Sequence, residues 1–130
     1  MINALLYVAL GGAVGSVLRW GISLGIGLLP LVTVFPWGTL AANTLGCFLA
    51  GGLLGLPQGL ESLTPTQRAA LLTGFLGGLT TFSSLMLETT QLWQFGQQTL
   101  AIANVGVSLG LGVAALWSGL WLVSTFWPGR

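Results

Sequence analysis

The chain has 130 residues, of which 54% are hydrophobic and 4% are charged, and its formal net charge is +1. A typical soluble domain has about 25% charged residues, so the composition excludes a soluble globular domain and predicts an integral membrane protein. The near-neutral charge offers no basic surface for nucleic acid. With no histidine and one cysteine, Cys47, the chain has no internal disulfide and no CxxC metal or redox motif.

Four segments are long and apolar enough to cross a membrane, which takes about 20 mostly apolar residues. They comprise residues 2–29, 37–56, 66–95 and 100–127. Pro30 and Pro36 bracket the first connection, and Thr64 followed by Pro65 is typical of a helix N-cap and first turn. Because every connection is short, we predict an all-α membrane protein in which four transmembrane helices pack antiparallel as a single domain, residues 1–130.

The few charged residues give little indication of orientation in the membrane. Four spans place both termini and the second connection on one side, with Arg68 and Arg130, whereas Arg19 lies toward the other side. An excess of one positive charge is a weak positive-inside signal. It is compatible with a weakly oriented protein and with a dual-topology protein that inserts in both directions.

Small residues recur at a spacing of four along the predicted helices. Such pairs let helix backbones approach closely in a membrane, so they predict a tightly packed bundle. The pairs are Gly11/Gly15, Gly21/Gly25, Gly46/Ala50, Gly51/Gly55, Gly74/Gly78 and Gly106/Gly110.

The third segment contains an unusual tract in its middle, where residues 74–84 read GFLGGLTTFSS. Three glycines and four hydroxyl residues weaken a helix at the depth where a bilayer normally requires a continuous one. Non-helical backbone is tolerated there only if protein buries it or if it lines a watery cavity. The tract therefore predicts a third helix that is broken mid-membrane, and a transport site beside the break.

Polar residues form one stripe on each of three helices. Each stripe consists of residues at helical spacing on one face of a helix. The stripes are Thr39, Asn43 and Gly46 on the second helix, Thr81, Ser84 and Glu88 on the third, and Asn104, Ser108 and Gly112 on the fourth. Ordinary interhelical hydrogen bonds, worth about 0.6 kcal/mol each, explain any one of these residues. Three stripes beside a broken helix favour a polar pathway.

The chemistry of this pathway suits an anion better than a cation. The asparagine amide and the hydroxyl groups are hydrogen-bond donors, and the ring edge of Phe82 is positively polarised. Glu88 is expected at a partly hydrated vestibule, and Arg19 is expected to snorkel or to pair with an unidentified partner. The polar groups of one chain gather in one half of the bilayer and therefore form only half of a pathway. An inverted second copy would supply the polar groups for the other half of the pathway.

Three motifs carry a resemblance to the Fluc/CrcB-type fluoride channels. They are GGAVGSVLRW at 11–20, WGTLAANTLG at 37–46 and GFLGGLTTFS at 74–83, and Ser108 suits the fourth helix of that family. The resemblance implies an antiparallel, dual-topology homodimer in the bacterial inner (plasma) membrane. This dimer would conduct fluoride passively, exclude chloride and relieve fluoride toxicity, with two pores along the subunit interface and no enzymatic activity.

The same resemblance implies roles for individual residues. Asn43 and Phe82 correspond to pore residues, and the backbone carbonyls of Gly77 and Thr80 from both copies would hold a central structural sodium ion. The polar track or its vestibule would be lined by Thr39, Ser84, Ser108, Glu88 and Asn104.

This chain departs from the family pattern at Leu85, where a second phenylalanine is common. Leucine keeps an apolar wall but lacks the ring edge, so a heterodimer or a non-conducting partner subunit remains an alternative to the homodimer. Gly112 stands where a serine can occur, which would shorten the polar track. Another alternative is a small multidrug exporter, but proton coupling there needs a carboxylate in the first helix, and residues 1–29 contain none.

Overall fold

The computed structural model describes residues 2–29 and 34–127, which form four helical spans. Helix α1 is Ile2–Gly27, α2 is Trp37–Gly55 and α5 is Gln98–Phe126, while the third span, Pro65–Gln94, consists of α3 (residues 65–79) and α4 (Phe82–Gln94). All four spans are long and apolar enough to cross a membrane, so the predicted four-helix membrane fold is confirmed. Two residues invoked above, Pro30 and Arg130, lie outside the described residues.

The start of α3 follows from its sequence. The Thr64 hydroxyl accepts a hydrogen bond from Gln67 N (3.3 Å), and the Gln67 side chain accepts one from Thr64 N (3.0 Å), which together form a capping box. Pro65 occupies the first turn, where its missing N–H group has no cost. The predicted N-cap at Thr64 is therefore confirmed.

Helices α2 and α5 pack backbone against backbone. A Cβ atom added at Gly55 would lie 2.6 Å from Leu120 O, and one added at Gly51 would overlap Leu116 O. On the facing helix, a Cβ atom at Gly119 would overlap Phe48 O. The predicted close contact through Gly51 and Gly55 is confirmed, and it holds α5 beside α2 along much of the membrane.

Helices α1 and α3 form a second glycine seam. A Cβ atom added at Gly11 would lie 2.5 Å from Ala70 O, one at Gly74 would lie 2.8 Å from Val8 O, and one at Gly78 would lie 2.5 Å from Gly12 O. Only a residue without a side chain fits at such distances. The pairs Gly21/Gly25 and Gly106/Gly110 instead have open space around them, so they make no close contact within the protomer.

The break in the third span lies later than the glycines suggest. Backbone from Ala70 to Leu76 is π-helical, Gly77–Leu79 continues as α-helix, and the chain becomes extended only at Thr80 (ψ 155°) and Thr81 (ψ 119°). A mid-membrane break is confirmed, but the glycines do not cause it. Gly74 and Gly78 are both helical, and they pack on α1 where a side chain would not fit.

The buried core lies between the third span and helices α2 and α5. Leu79 and Ala42 are fully buried, and Leu85 and Leu92 of α4 and Ala101 of α5 are nearly so. Most other large apolar side chains are exposed on the outside of the bundle. This distribution suits a protein whose outer surface contacts lipid and whose interior is small and closely packed.

Candidate functional site

The site is organised around the break between α3 and α4. Thr80 is the C-cap of α3, where the backbone becomes extended (ψ 155°). Its backbone N (2.9 Å) still completes a helical hydrogen bond to Leu76 O, and its side-chain Oγ1 (2.8 Å) donates to the same oxygen. Thr81 begins α4 as its N-cap, since Thr81 Oγ1 accepts from Ser84 N at 3.2 Å. Two adjacent threonines thus end one helix and start the next within the membrane-spanning segment.

Asn43 of α2 satisfies the backbone that the break exposes. Its Oδ1 accepts from Thr81 N (2.7 Å), and its Nδ2 donates to Thr81 O (3.1 Å). An unpaired backbone group in an apolar environment costs several kcal/mol, so this paired contact explains how extended backbone persists there. The asparagine is half-buried, and its second amide hydrogen is not needed for these two bonds.

Two carbonyl groups beside the break lack their usual helical donors. In a continuous helix, Gly77 O would accept from Thr81 N, and Thr80 O would accept from Ser84 N. Here Thr81 N donates to Asn43, and Ser84 N donates to the Thr81 hydroxyl. Backbone carbonyl oxygens are ligands that hard cations accept, so Gly77 and Thr80 have the chemistry that a sodium site requires.

Arg19 has a partner that the sequence did not reveal. Its Nε donates to Gly78 O at 3.1 Å, so the guanidinium group lies at the carboxyl end of α3. That end carries a partial negative charge from the helix dipole and from carbonyls without helical donors. Of the two alternatives expected for Arg19, snorkelling or pairing, the structure shows pairing, and the partner is a backbone carbonyl rather than a carboxylate.

The polar stripe of α2 lies against the third span in register. Thr39 Oγ1 donates to Glu88 Oε1 (2.6 Å), Asn43 bonds Thr81, and a Cβ atom at Gly46 would overlap the Thr80 methyl group. The second carboxylate oxygen of Glu88 is buried and has no hydrogen-bond partner among the described residues. The two predicted stripes therefore meet one another along their length.

Asn104 lies deeper inside the protomer than a vestibule residue would. It is 1% exposed, and its Nδ2 donates to Thr89 Oγ1 (2.9 Å), which in turn donates to Leu85 O (2.7 Å). This chain of bonds joins α5 to α4. The structure therefore places Asn104 in a helix–helix contact and not on an open surface.

An open groove of about 360 Å³ runs beside the break between α2 and α5. Phe82 stands at its edge with 70% of its surface exposed, whereas Leu85 is 4% exposed and forms part of the wall. The Ser108 hydroxyl is buried and has no hydrogen-bond partner within the described part of the chain. The groove is lined by Asn43, Cys47, Thr80, Thr81, Phe82, Leu85, Ser108, Leu109, Gly112, Val113 and Leu116.

The structure therefore brings some predicted residues together and separates others. Those that line the groove are Asn43, Thr80, Phe82, Leu85 and Ser108. Those that do not are Arg19, Thr39, Gly77, Ser84, Glu88 and Asn104. Residue by residue, the roles assigned to both sets stay predictions.

Thr81 lies on a predicted polar stripe, but no individual role is predicted for it from the sequence. Its position directly before a new helical run, three residues ahead of Ser84, is the spacing of an N-cap. That signal could have identified Thr81 as the start of α4. No local signal pointed to Asn43 as its partner, 38 residues away.

Fold and site together define a multi-pass membrane protein in which an interrupted helix borders a groove with hydrogen-bonding groups. Residues 6–120 match the family model described as CrcB-like protein, Camphor Resistance (CrcB). The chain belongs to this family.

Similar proteins named Fluoride-specific ion channel FluC occur in several bacteria. The protein from Acidobacterium capsulatum is 44% identical over 115 residues, which cover 88% of this chain and 91% of that protein. The one from Rhizobium etli strain CFN 42 is 44% identical over 121 residues, covering 92% and 94%. The one from Serratia proteamaculans is 45% identical over 109 residues, covering 84% of each.

Proposed function

We propose that this chain forms a fluoride-selective channel in the bacterial inner (plasma) membrane. It would let cytoplasmic fluoride leave passively and so reduce its toxicity. Hydrogen fluoride crosses membranes as a neutral molecule and ionises inside the cell, where the anion then needs a pore to leave. The observation that carries the proposal is the groove beside the break, in a chain similar over most of its length to proteins named fluoride-specific channels. A channel makes or breaks no bonds, so the protein is not an enzyme.

The groove offers donors and apolar walls but no carboxylate. Asn43 has an amide hydrogen left over, the Ser108 hydroxyl is unpaired among the described residues, and the exposed Phe82 ring is part of the lining. Such groups can replace part of the water around a small anion. We assign Asn43, Phe82 and Ser108 to the pore, with Leu85 as an apolar wall. Thr39, Ser84, Glu88 and Asn104 belong to its supporting polar surroundings.

An antiparallel homodimer would complete the pore. The groove of one protomer is open along one side, and Phe82 protrudes from it. A second, inverted copy would cover the open side and supply polar groups for the other half of the membrane. A pairing with a different but related chain is the alternative that Leu85 raises, and the experiment below distinguishes the two.

A sodium ion would have a structural role in this dimer. The carbonyls of Gly77 and Thr80 fit such an ion because their helical donors are bound elsewhere. When bound, sodium would supply a positive charge between carbonyl groups of the two copies. Within one chain, Arg19 occupies the neighbouring carbonyl of Gly78 and leaves these two available.

The test is fluoride efflux from liposomes that contain the purified protein. Vesicles loaded with potassium fluoride should release fluoride quickly when a potassium ionophore is added, and vesicles loaded with potassium chloride should not release chloride. Chloride release at a similar rate would refute selectivity. If fluoride is retained with this chain alone but released when a second related chain is added, the homodimer assignment is wrong.

Two variants locate the pore. Asn43→Ala removes a hydrogen bond to an ion, worth about 1.5–3 kcal/mol, so we expect flux per incorporated protein to fall about 10- to 100-fold. Phe82→Ile should also slow flux strongly. The matched controls are Asn3→Ala and Phe95→Ile, two exposed residues that do not line the groove. If flux is unchanged in both pore variants, these residues do not belong to the pore.

A further inference from the structure

Two side chains beside the break bind N–H groups that would pair with backbone carbonyls in a continuous helix. Asn43 Oδ1 binds Thr81 N, the group that would otherwise pair with Gly77 O. Thr81 Oγ1 binds Ser84 N, the group that would otherwise pair with Thr80 O. Each proposed cation ligand therefore depends on one identifiable side chain.

The neighbouring carbonyls at the end of α3 are already occupied. Leu76 O accepts two hydrogen bonds from Thr80, and Gly78 O accepts one from Arg19. At this end of the helix, Leu76 O and Gly78 O accept from protein donors, whereas Gly77 O, Leu79 O and Thr80 O lack their helical donors. A different contact affects each of the Gly77 and Thr80 carbonyls, so single substitutions can change which carbonyl oxygens lack a hydrogen-bond donor.

We propose that Asn43 and Thr81 are positioning residues for the cation site, because their side chains hold away the two N–H groups that would otherwise occupy the Gly77 and Thr80 carbonyls. This inference rests on the proposed function, since it assumes that these carbonyls bind sodium. It assigns Asn43 a second task besides lining the groove. The same amide couples the anion pathway to the cation site through Thr81.

Removing either side chain should let the backbone pair with itself. In Asn43→Ala, Thr81 N is free to donate to Gly77 O, and in Thr81→Val, Ser84 N is free to donate to Thr80 O. The new hydrogen bond then competes with a cation for electron density and space at the carbonyl oxygen. One hydrogen bond of competition corresponds to a loss of about tenfold in sodium affinity.

The readout is the melting temperature of the full chain in detergent, followed by tryptophan fluorescence, as sodium chloride replaces N-methyl-D-glucamine chloride. A ligand that binds only the folded state stabilises it by RT ln(1 + [L]/Kd), so the melting temperature starts to rise near the dissociation constant and then climbs with the logarithm of the ligand concentration. We expect Asn43→Ala and Thr81→Val to need about tenfold more sodium than the parent chain to reach the same rise in melting temperature above the sodium-free value.

Conservative variants separate this role from a general loss of stability. Thr81→Ser keeps the hydroxyl cap and should respond to sodium like the parent chain. Asn43→Asp keeps an oxygen for Thr81 N but loses the donor to Thr81 O, and its charge would oppose an anion. Because the bond to Thr81 N is the one that matters for the Gly77 carbonyl, this variant should also retain the sodium response. Thr90→Val, which removes an exposed hydroxyl bonded only to Met86 O, is the matched control for Thr81→Val.

The outcomes are distinguishable even if one variant fails to fold. If the parent chain shows no stabilisation specific to sodium, the cation site and this inference are both wrong, whereas fluoride efflux by the parent chain would still support the channel. If the parent responds and the variants respond equally, only the positioning role is overturned. If Thr81→Val cannot be purified, a loss of sodium response in Asn43→Ala that Asn43→Asp restores supports the proposal, and an equal response in both overturns it.

Discussion

The two halves of the third span are held in the bundle by different kinds of contact. Helix α3 lies backbone to backbone on α1, with Gly74 and Gly78 in contact distances that leave no room for a side chain. Helix α4 is instead attached by side-chain hydrogen bonds, from Thr39 of α2 to Glu88 and from Asn104 of α5 to Thr89. The third span therefore packs through close backbone contacts before the break and through side-chain hydrogen bonds after it.

The difference shows what membrane helices need in order to associate. Lipid is as apolar as a leucine side chain, so burying leucine against another helix gains little. Close backbone packing and interhelical hydrogen bonds are what remain. The glycine seam is sensitive to added volume, whereas the hydrogen-bonded half is sensitive to loss of a partner. Substitutions in α3 and in α4 therefore test the two kinds of contact separately.

The largest effect is expected from a methyl group in the glycine seam. Gly15→Ala would place its Cβ on Phe75 O and within 2.8 Å of Leu79 N, so the two helix backbones must separate. We expect a loss of about 3 kcal/mol or more, seen as a lower melting temperature and a low yield of folded protein. Gly12→Ala is the matched control, since its Cβ would lie 3.8 Å from Gly74 O, an ordinary contact. Equal behaviour of the two variants would contradict the seam.

An intermediate effect is expected where α4 meets α2. Thr39→Val keeps the shape of the side chain but removes the hydroxyl that donates to Glu88, whose other carboxylate oxygen is already without a partner. The expected cost in unfolding free energy is about 1–3 kcal/mol. Thr39→Ser restores the hydroxyl and should recover most of that loss. If valine and serine are equally well tolerated, the hydrogen bond does not hold this half of the span.

A smaller effect is expected between α4 and α5. A double-mutant cycle of Asn104→Leu and Thr89→Val isolates their hydrogen bond from the separate effects of each change. The coupling free energy should be about 0.6 kcal/mol, the average for interhelical bonds in membranes. A value near zero would mean that Asn104 is held by packing alone, and the contrast between the two halves would weaken.

The smallest effect is expected at a glycine outside the seam. Gly21 is exposed and has nothing within 4 Å of an added Cβ. In the isolated protomer, Gly21→Ala should leave the melting temperature unchanged or raise it, because alanine favours a helix by about 0.5–1 kcal/mol. Strong destabilisation would show that the backbone of another copy packs against Gly21, so that close glycine packing also joins the protomers.

Much of the architecture could be predicted from residue order. The four spans follow from apolar runs separated by short polar or proline-containing connections, and the N-cap at Thr64 follows from its neighbours Pro65 and Gln67. The break was predicted from residues 74–84, whose glycines and hydroxyl residues weaken a helix at a depth where the bilayer normally requires a continuous one. Each of these features depends on residues close in sequence, which is why the prediction succeeded.

The sequence by itself determined that the chain is a four-span membrane protein with a polar interruption in its third span. Only the tertiary structure decided where the interruption falls, which carbonyls it frees and which side chains support it. Arg19 reaches Gly78 across 59 positions, and Asn43 reaches Thr81 across 38. Such contacts depend on how closely glycine seams bring whole helices together, and that distance is a property of the packed bundle rather than of any one segment.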